Sequence, residues 1–139
     1  QDKYNIHLKE GFIETDEAER FGGPYDIIVM AQVMEHLIYH PVNTFKKLNR
    51  LLKDDGFLFV SVPEEIKHYN INHYTEMPYP NDLTAAERER RTQINNFGHF
   101  HEYSYEEALA VFEESGLECV FHQWTLPIHH FMLRKKQAT

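Results

Sequence analysis

A strand, a crossover helix and a second strand between Tyr25 and Pro63 constrain this chain more than any other stretch. Ile27 to Met30 is an unbroken apolar run rich in β-branched residues, the pattern of a strand buried on both faces of a parallel sheet. His40-Pro41 marks a helix start, because proline at the first helical position gives up no intrahelical bond. Val42, Phe45, Leu48, Leu51 and Leu52 then recur at helical spacing, with Lys46, Lys47, Asn49 and Arg50 facing away. Asp54-Asp55-Gly56 is expected to break the helix, and Phe57 to Val62 reads as the second strand. This order dictates a right-handed βαβ unit in an α/β fold. Ligands of an open α/β sheet sit beyond the carboxyl ends of its strands. Here those ends carry Ala31-Gln32-Val33-Met34-Glu35-His36 and Ser61-Val62-Pro63-Glu64, while Asp26 lies at the opposite end and reads as structural.

The remaining elements are simpler. Tyr4 to Leu8 alternates weakly, as a strand would, and Asp16 to Arg20 reads as a short turn or helical piece. Glu64 to Asp82 has no apolar repeat, and a loop of that length in a compact domain is a lid, a binding segment or disordered. Thr84 to Glu87 is a capping-box pattern ahead of a polar helix over residues 85–95. Ser104-Tyr-Glu-Glu107 is a second one, with Gly116 placed to cap the end of its helix. Leu117 to Trp124 and Ile128 to Leu133 read as an antiparallel pair around Pro127, followed by a frayed basic tail from Arg134 to Lys136.

Composition narrows the function classes. A chain of 139 residues suits one domain with a real core, and no apolar run approaches the roughly 20 residues of a membrane span. No charged-then-apolar leader pattern stands at its start. The single Cys119 excludes an intramolecular disulfide and fits a reducing, cytoplasmic setting. A formal net charge of −8 argues against nucleic-acid backbones as partners. Arg88, Arg90 and Arg91 alternate with Glu87 and Glu89, a solvated helix face.

Taken together, Tyr-Asp-Ile-Ile-Val-Met-Ala-Gln-Val-Met-Glu-His-Leu, Leu-Leu-Lys-Asp-Asp-Gly-Phe-Leu-Phe-Val-Ser-Val-Pro and Gly-His-Phe-His-Glu-Tyr-Ser-Tyr-Glu-Glu-Ala resemble the C-terminal half of class I S-adenosylmethionine-dependent methyltransferases. The resemblance runs from Lys9 to Phe131 and is weakest between Glu64 and Asn96, an insert or lid. It implies a Rossmann-like, mostly parallel sheet ending in an antiparallel hairpin, preceded by two further βαβ units. At roughly 30 residues per unit, these would come from a preceding segment or a complementing chain. The glycine-rich loop that holds the cofactor's methionine end belongs to that part, and no Gly-x-Gly occurs in this chain.

The resemblance also assigns candidate residues. Phe12, Ile13 and Glu14 correspond to the segment lining the adenine of S-adenosyl-L-methionine, and Met30, Ala31 and Gln32 to the strand end that contacts the cofactor. Small Ala31 permits close approach. His36 and His101 are candidate catalytic bases, beside the bland reading of histidines bonded to loops. His99 and Tyr103 are candidate substrate contacts, since alternate spacing puts them with His101 on one face of an extended segment. Gln32-x-x-Glu35-His36 with a distant His is similar to a metal site of magnesium-dependent small-RNA methyltransferases. Gln32 replaces the first acid and removes a hard anionic ligand, so no metal is expected. His129-His130 reads as half buried, and Trp124 with Tyr69, Tyr74 and Tyr79 as aromatic lining of a pocket or lid.

Two functions follow. The first is methyl transfer to a small molecule or other acceptor. The second is a methyltransferase-like interaction module without catalysis, whose open sheet edge pairs with itself or a partner chain.

Overall fold

A computed structural model describes residues 6–64, 99, 101 and 103–137. The insert, its capping box at Thr84, the arginine cluster and Tyr69, Tyr74 and Tyr79 lie outside the described residues. Four strands, β1 (Tyr25–Ala31), β2 (Leu52–Pro63), β3 (Leu117–Thr125) and β4 (Ile128–Lys135), form one sheet in the order β1-β2-β4-β3. β1 pairs with β2 in parallel, and the other two pairings are antiparallel. The α/β expectation and the antiparallel C-terminal hairpin therefore hold.

Helix α1 (Pro41–Leu51) makes the crossover, opened by Pro41 with His40 as its cap. Helix α2 (Tyr105–Glu114) starts in the expected capping box, in which Glu107 N donates to Ser104 Oγ and Ser104 N to the Glu107 carboxylate. Gly116 follows it with φ +75°, and Asn49 on α1 donates to the carbonyls of Ser115 and Gly116. Both helices pack on one face of the sheet. Phe45 meets Phe112 at 5.1 Å between ring centroids, and Phe112 meets Phe131 at 5.1 Å. Met30, Leu58, Val60, Val62 and Leu133 complete that core.

Several expectations need correction. Helix α1 stops at Leu51, and Leu52 already belongs to β2. Asp54-Asp55-Gly56 is instead a bulge inside β2, where the register on β1 jumps from Leu52 to Phe57. A Cβ on Gly56 would sit 2.9 Å from the carbonyl oxygens of Tyr25 and Asp26, so only glycine fits under the bulge. Ile6 to Leu8 form no strand, and residues 4 and 5 lie outside the described residues. Arg134 and Lys135 are not frayed: they belong to β4 and pair with Glu118 and Asp54. Asp26 bonds Lys53 at 2.7 Å at the exposed bottom of the sheet, in keeping with its structural reading. Its carboxyl lies below the usual carboxylate range because of that bond and the lysine charge.

β1 is not buried on both faces. Ile28 and Met30 face the helices, but Ile27 and Val29 remain 60% and 67% exposed on the other side. The register aligns Val29, Phe59, Met132 and Phe121 in one row across all four strands. Alternation along β1 was masked in the sequence because both of its faces carry apolar side chains. Among the described residues, nothing covers this second face as a helix layer would.

Candidate active site

The crossover places two strand ends side by side. Ala31 pairs with Ser61, and Gln32 N donates to the Ser61 carbonyl at 3.0 Å. Gln32 has φ +54°, a left-handed backbone that non-glycine residues adopt at a cost of about 1–3 kcal/mol. That bend ends β1 abruptly and turns the Gln32 amide toward Ser61 Oγ, 3.4 Å away. A single 3-10 turn follows, Met34–His36. It buries Met34 and Glu35 and leaves the His36 side chain 41% exposed on the rim.

A returning segment closes this corner. His101 N donates to the Glu35 carbonyl at 3.3 Å, and Tyr103 bridges Glu64 at the end of β2. His99 therefore lies beside His36, ring edge to ring face, with centroids 4.8 Å apart. His101 packs against Tyr103 at 4.4 Å and faces the Glu107 carboxylate at 3.6 Å. Both His101 and Tyr103 are buried. The expected common face of His99, His101 and Tyr103 thus divides. His36 and His99 reach the open side, while His101 and Tyr103 brace it from within.

The Phe12–Glu14 segment is a tight turn rather than an extended wall. Asp16 N donates to the Phe12 carbonyl at 2.8 Å, and Phe12 N to the Asp16 carboxylate at 3.0 Å. Glu14 Oε1 accepts from Ile38 N and Tyr39 N, both at 2.8 Å, which ties the turn to the rim. Ile13 packs against the core, and Phe12 stands 77% exposed. Of the three, Phe12 is the side chain that can cover a flat ring. Met30 faces the core, so its backbone alone can meet a ligand. Ala31 and Gln32 are exposed at the strand end.

Sequence reasoning missed Lys47. Its ammonium, on a side chain only 7% exposed, donates to the carbonyls of Ile13 at 2.8 Å, Glu14 at 3.3 Å and Asp16. Lys47 stands at helical spacing between buried Thr44 and Leu51, which is the signal that was available.

A second polar chain runs along the end of the hairpin. His122 Nε2 lies 2.9 Å from His129 Nδ1, His129 Nε2 lies 3.9 Å from Glu64, and Trp124 Nε1 donates to Glu64 at 2.9 Å. His129 is buried and His130 half-buried. Burial, then the neighbouring His129 and His130, push the His122 pKa down. The unfolded chain then binds more protons than the folded one as pH falls below the ordinary histidine range. The melting temperature is expected to drop over that window, and His122→Phe to flatten the drop. Melting curves between neutral pH and pH 5 check this.

The sequence matches a family described as a methyltransferase domain over residues 3–122. The chain belongs to this methyltransferase-domain family. Solved structures agree on the fold. The mitomycin 7-O-methyltransferase MmcR superposes with TM-score 0.58 at 17% identity, over 92% of this chain and 33% of that one. NcsB1, an O-methyltransferase from neocarzinostatin biosynthesis solved with S-adenosyl-L-homocysteine and 1,4-dihydroxy-2-naphthoic acid, gives 0.58 at 12%, over 90% and 32%. An O-methyltransferase family protein from Burkholderia thailandensis gives 0.58 at 12%, over 94% and 36%. The methyltransferase-domain chain thus spans about a third of the length of these solved relatives. No curated protein matches the sequence. Among the described residues, no helix is long and apolar enough to cross a membrane.

Proposed function

We propose that this chain is part of an S-adenosyl-L-methionine-dependent methyltransferase that acts on a hydroxyl of a small molecule in the cytoplasm. The family match and the neighbouring O-methyltransferases support the reaction class and the oxygen acceptor. The observation that carries the site is the end of β1: a residue without bulk, Ala31, followed by the left-handed Gln32. In this reading the resulting ledge beside Ser61 takes the flat nucleoside, and exposed Phe12 is the side chain that would cover its ring. Bound there, the cofactor supplies a methyl group on a sulfonium.

Methyl transfer is an in-line displacement, so alignment of donor and acceptor provides most of the rate. In this reading Ala31 and Gln32 set the floor and Lys47 fixes the Phe12 turn through its carbonyls. His36 takes the proton from an acceptor hydroxyl whose oxygen attacks the methyl carbon. Replacing Ala31 by Trp fills the ledge from an exposed position. Affinity of the full protein for S-adenosylhomocysteine is expected to fall at least about thirtyfold, roughly 2 kcal/mol, with the melting temperature unchanged. Calorimetry of both variants checks this, and unaltered affinity in Ala31→Trp would contradict the placement.

The bare apolar face through Val29, Phe59 and Phe121 also favours completion of the sheet by strands and helices from outside the described residues, since such sheets are covered on both faces. A preceding segment of the same protein fulfils this in the enzymatic reading. A complementing chain fulfils it in the interaction-module reading, and self-association of this chain in isolation fits both.

A further inference from the structure

We propose that the cavity between α2 and β3 is a second ligand site, which takes a neutral, flat, mainly apolar molecule carrying one hydrogen-bond donor, with His122 as the acceptor. The cavity measures about 470 Å³, within the usual range for small-molecule sites. Leu109, Phe112 and Leu117 form its apolar part, and Tyr105 stands beside His122 with ring centroids 4.6 Å apart. Its place in the sheet sets it apart from the ledge. β3 is the edge strand at the far end of the order β1-β2-β4-β3, so β2 and β4 lie between this cavity and β1. Its occupancy is therefore independent of the proposed methyl transfer.

The polar chain at the end of the hairpin fixes the state of His122. One of the two facing nitrogens, His122 Nε2 or His129 Nδ1, must carry the proton of their 2.9 Å contact. Were it His129 Nδ1, the bare Nε2 of a neutral His129 would turn its lone pair toward the Glu64 carboxylate, 3.9 Å away. A hydrogen on His129 Nε2 gives an attraction there instead, and His129 is 5% exposed, where water screens little. Trp124 Nε1 donates to the other Glu64 oxygen at 2.9 Å and holds the carboxylate in position. His129 Nδ1 is then an acceptor, His122 Nε2 its donor, and His122 Nδ1 the lone pair left over. Phe131 stacks on His122 at 4.9 Å, which keeps the ring in that plane. Burial, then the nearby His129 and His130, favour its neutral form. Glu64 and His129 act through His122, as positioning residues.

Charge selects the ligand class. Lys136 at the rim is paired with Glu113 at 2.9 Å, and Glu118 with Arg134 at 2.6 Å. Cys119 Sγ donates to the Phe121 carbonyl at 3.2 Å, and burial pushes its pKa up, so it stays a thiol. These lining charges already have partners, and a charged ligand would lose its hydration without gaining one. An aromatic ring between Tyr105 and the leucines loses little, and its one N–H or O–H meets His122.

The test compares indole with 1-methylindole, two rings of nearly the same shape of which only the first has an N–H. Each is titrated into the full protein by NMR, with the histidine ring nitrogens followed by long-range nitrogen–proton correlation. Indole is expected to saturate at one per chain below about 5 mM, at least about tenfold tighter than 1-methylindole, and to move the His122 Nδ1 signal. His122→Phe is expected to abolish that preference, and Leu109→Trp, which fills the cavity, to abolish binding of both. Should Leu109→Trp lower the melting temperature, His122→Phe alone decides. In Glu64→Gln the His122 and His129 tautomers are expected to mix and the preference for indole to shrink, a change that lost packing would not produce. Equal affinity for the two rings, no saturation by about 5 mM, or a preference that survives His122→Phe each overturns the site. The last of these would place indole elsewhere, the methyl-acceptor region included.

Discussion

Phe45→Ala is expected to destabilise the full protein by about 4 kcal/mol. Phe45 has no exposed surface, and its ring meets Phe112, which in turn meets Phe131. This line of rings joins α1 to α2 and α2 to the central strand β4. Removing its first member deletes the transfer term of a whole aromatic side chain and leaves a cavity between two helices. Those helices are fixed to each other by Asn49, whose amide donates to the Ser115 and Gly116 carbonyls. They cannot close the gap freely, so the cost lies in the upper part of the usual range. Urea unfolding followed by circular dichroism measures it. A loss below about 1 kcal/mol would mean that the two helices do not share one core.

Lys47→Met is the second large effect, at about 2–3 kcal/mol. Methionine preserves the unbranched stem and its packing while removing the ammonium. The Ile13, Glu14 and Asp16 carbonyls then lose a charged donor, and bonds of that kind each contribute about 1.5–3 kcal/mol. Relief from burying the lysine charge offsets part of this, which keeps the net below the sum. A consequence beyond stability follows for the site. The Phe12 turn loses its anchor, so cofactor affinity is expected to weaken in Lys47→Met even under conditions where the protein is fully folded. Unfolding in urea together with calorimetry on the folded variant checks both parts. Unchanged stability would show that water satisfies these carbonyls.

What the sequence disclosed follows the strength of local signals. Pro41 after His40 and the Ser104–Glu107 box mark helix starts through backbone chemistry that works at short range, and both stand where expected. The helix end did not, because Leu52 continues the apolar spacing of α1 while its backbone already pairs with Tyr25. No local rule separates those two uses of a leucine. Lys47 reads as a solvated residue until the turn at Ile13 to Asp16 is known to fold over it. The site shows the same division. Residues contiguous with β1 can be located from the sequence because the strand end dictates their place, whereas the contact of His99 with His36 depends on a returning segment. The apolar run of β1 gave the strand, but apolar composition cannot say which layer packs on each face, and among the described residues its second face is bare.

Methyl transfer at this site requires the ledge at the end of β1 to hold an adenosyl-sulfur ligand. The most direct measurement is calorimetric titration of S-adenosylhomocysteine into the full protein at neutral pH. Saturable binding of one ligand per chain, with a dissociation constant in the micromolar range (about −8 kcal/mol), is the predicted result. Heats no larger than dilution from a folded full-length protein would contradict it.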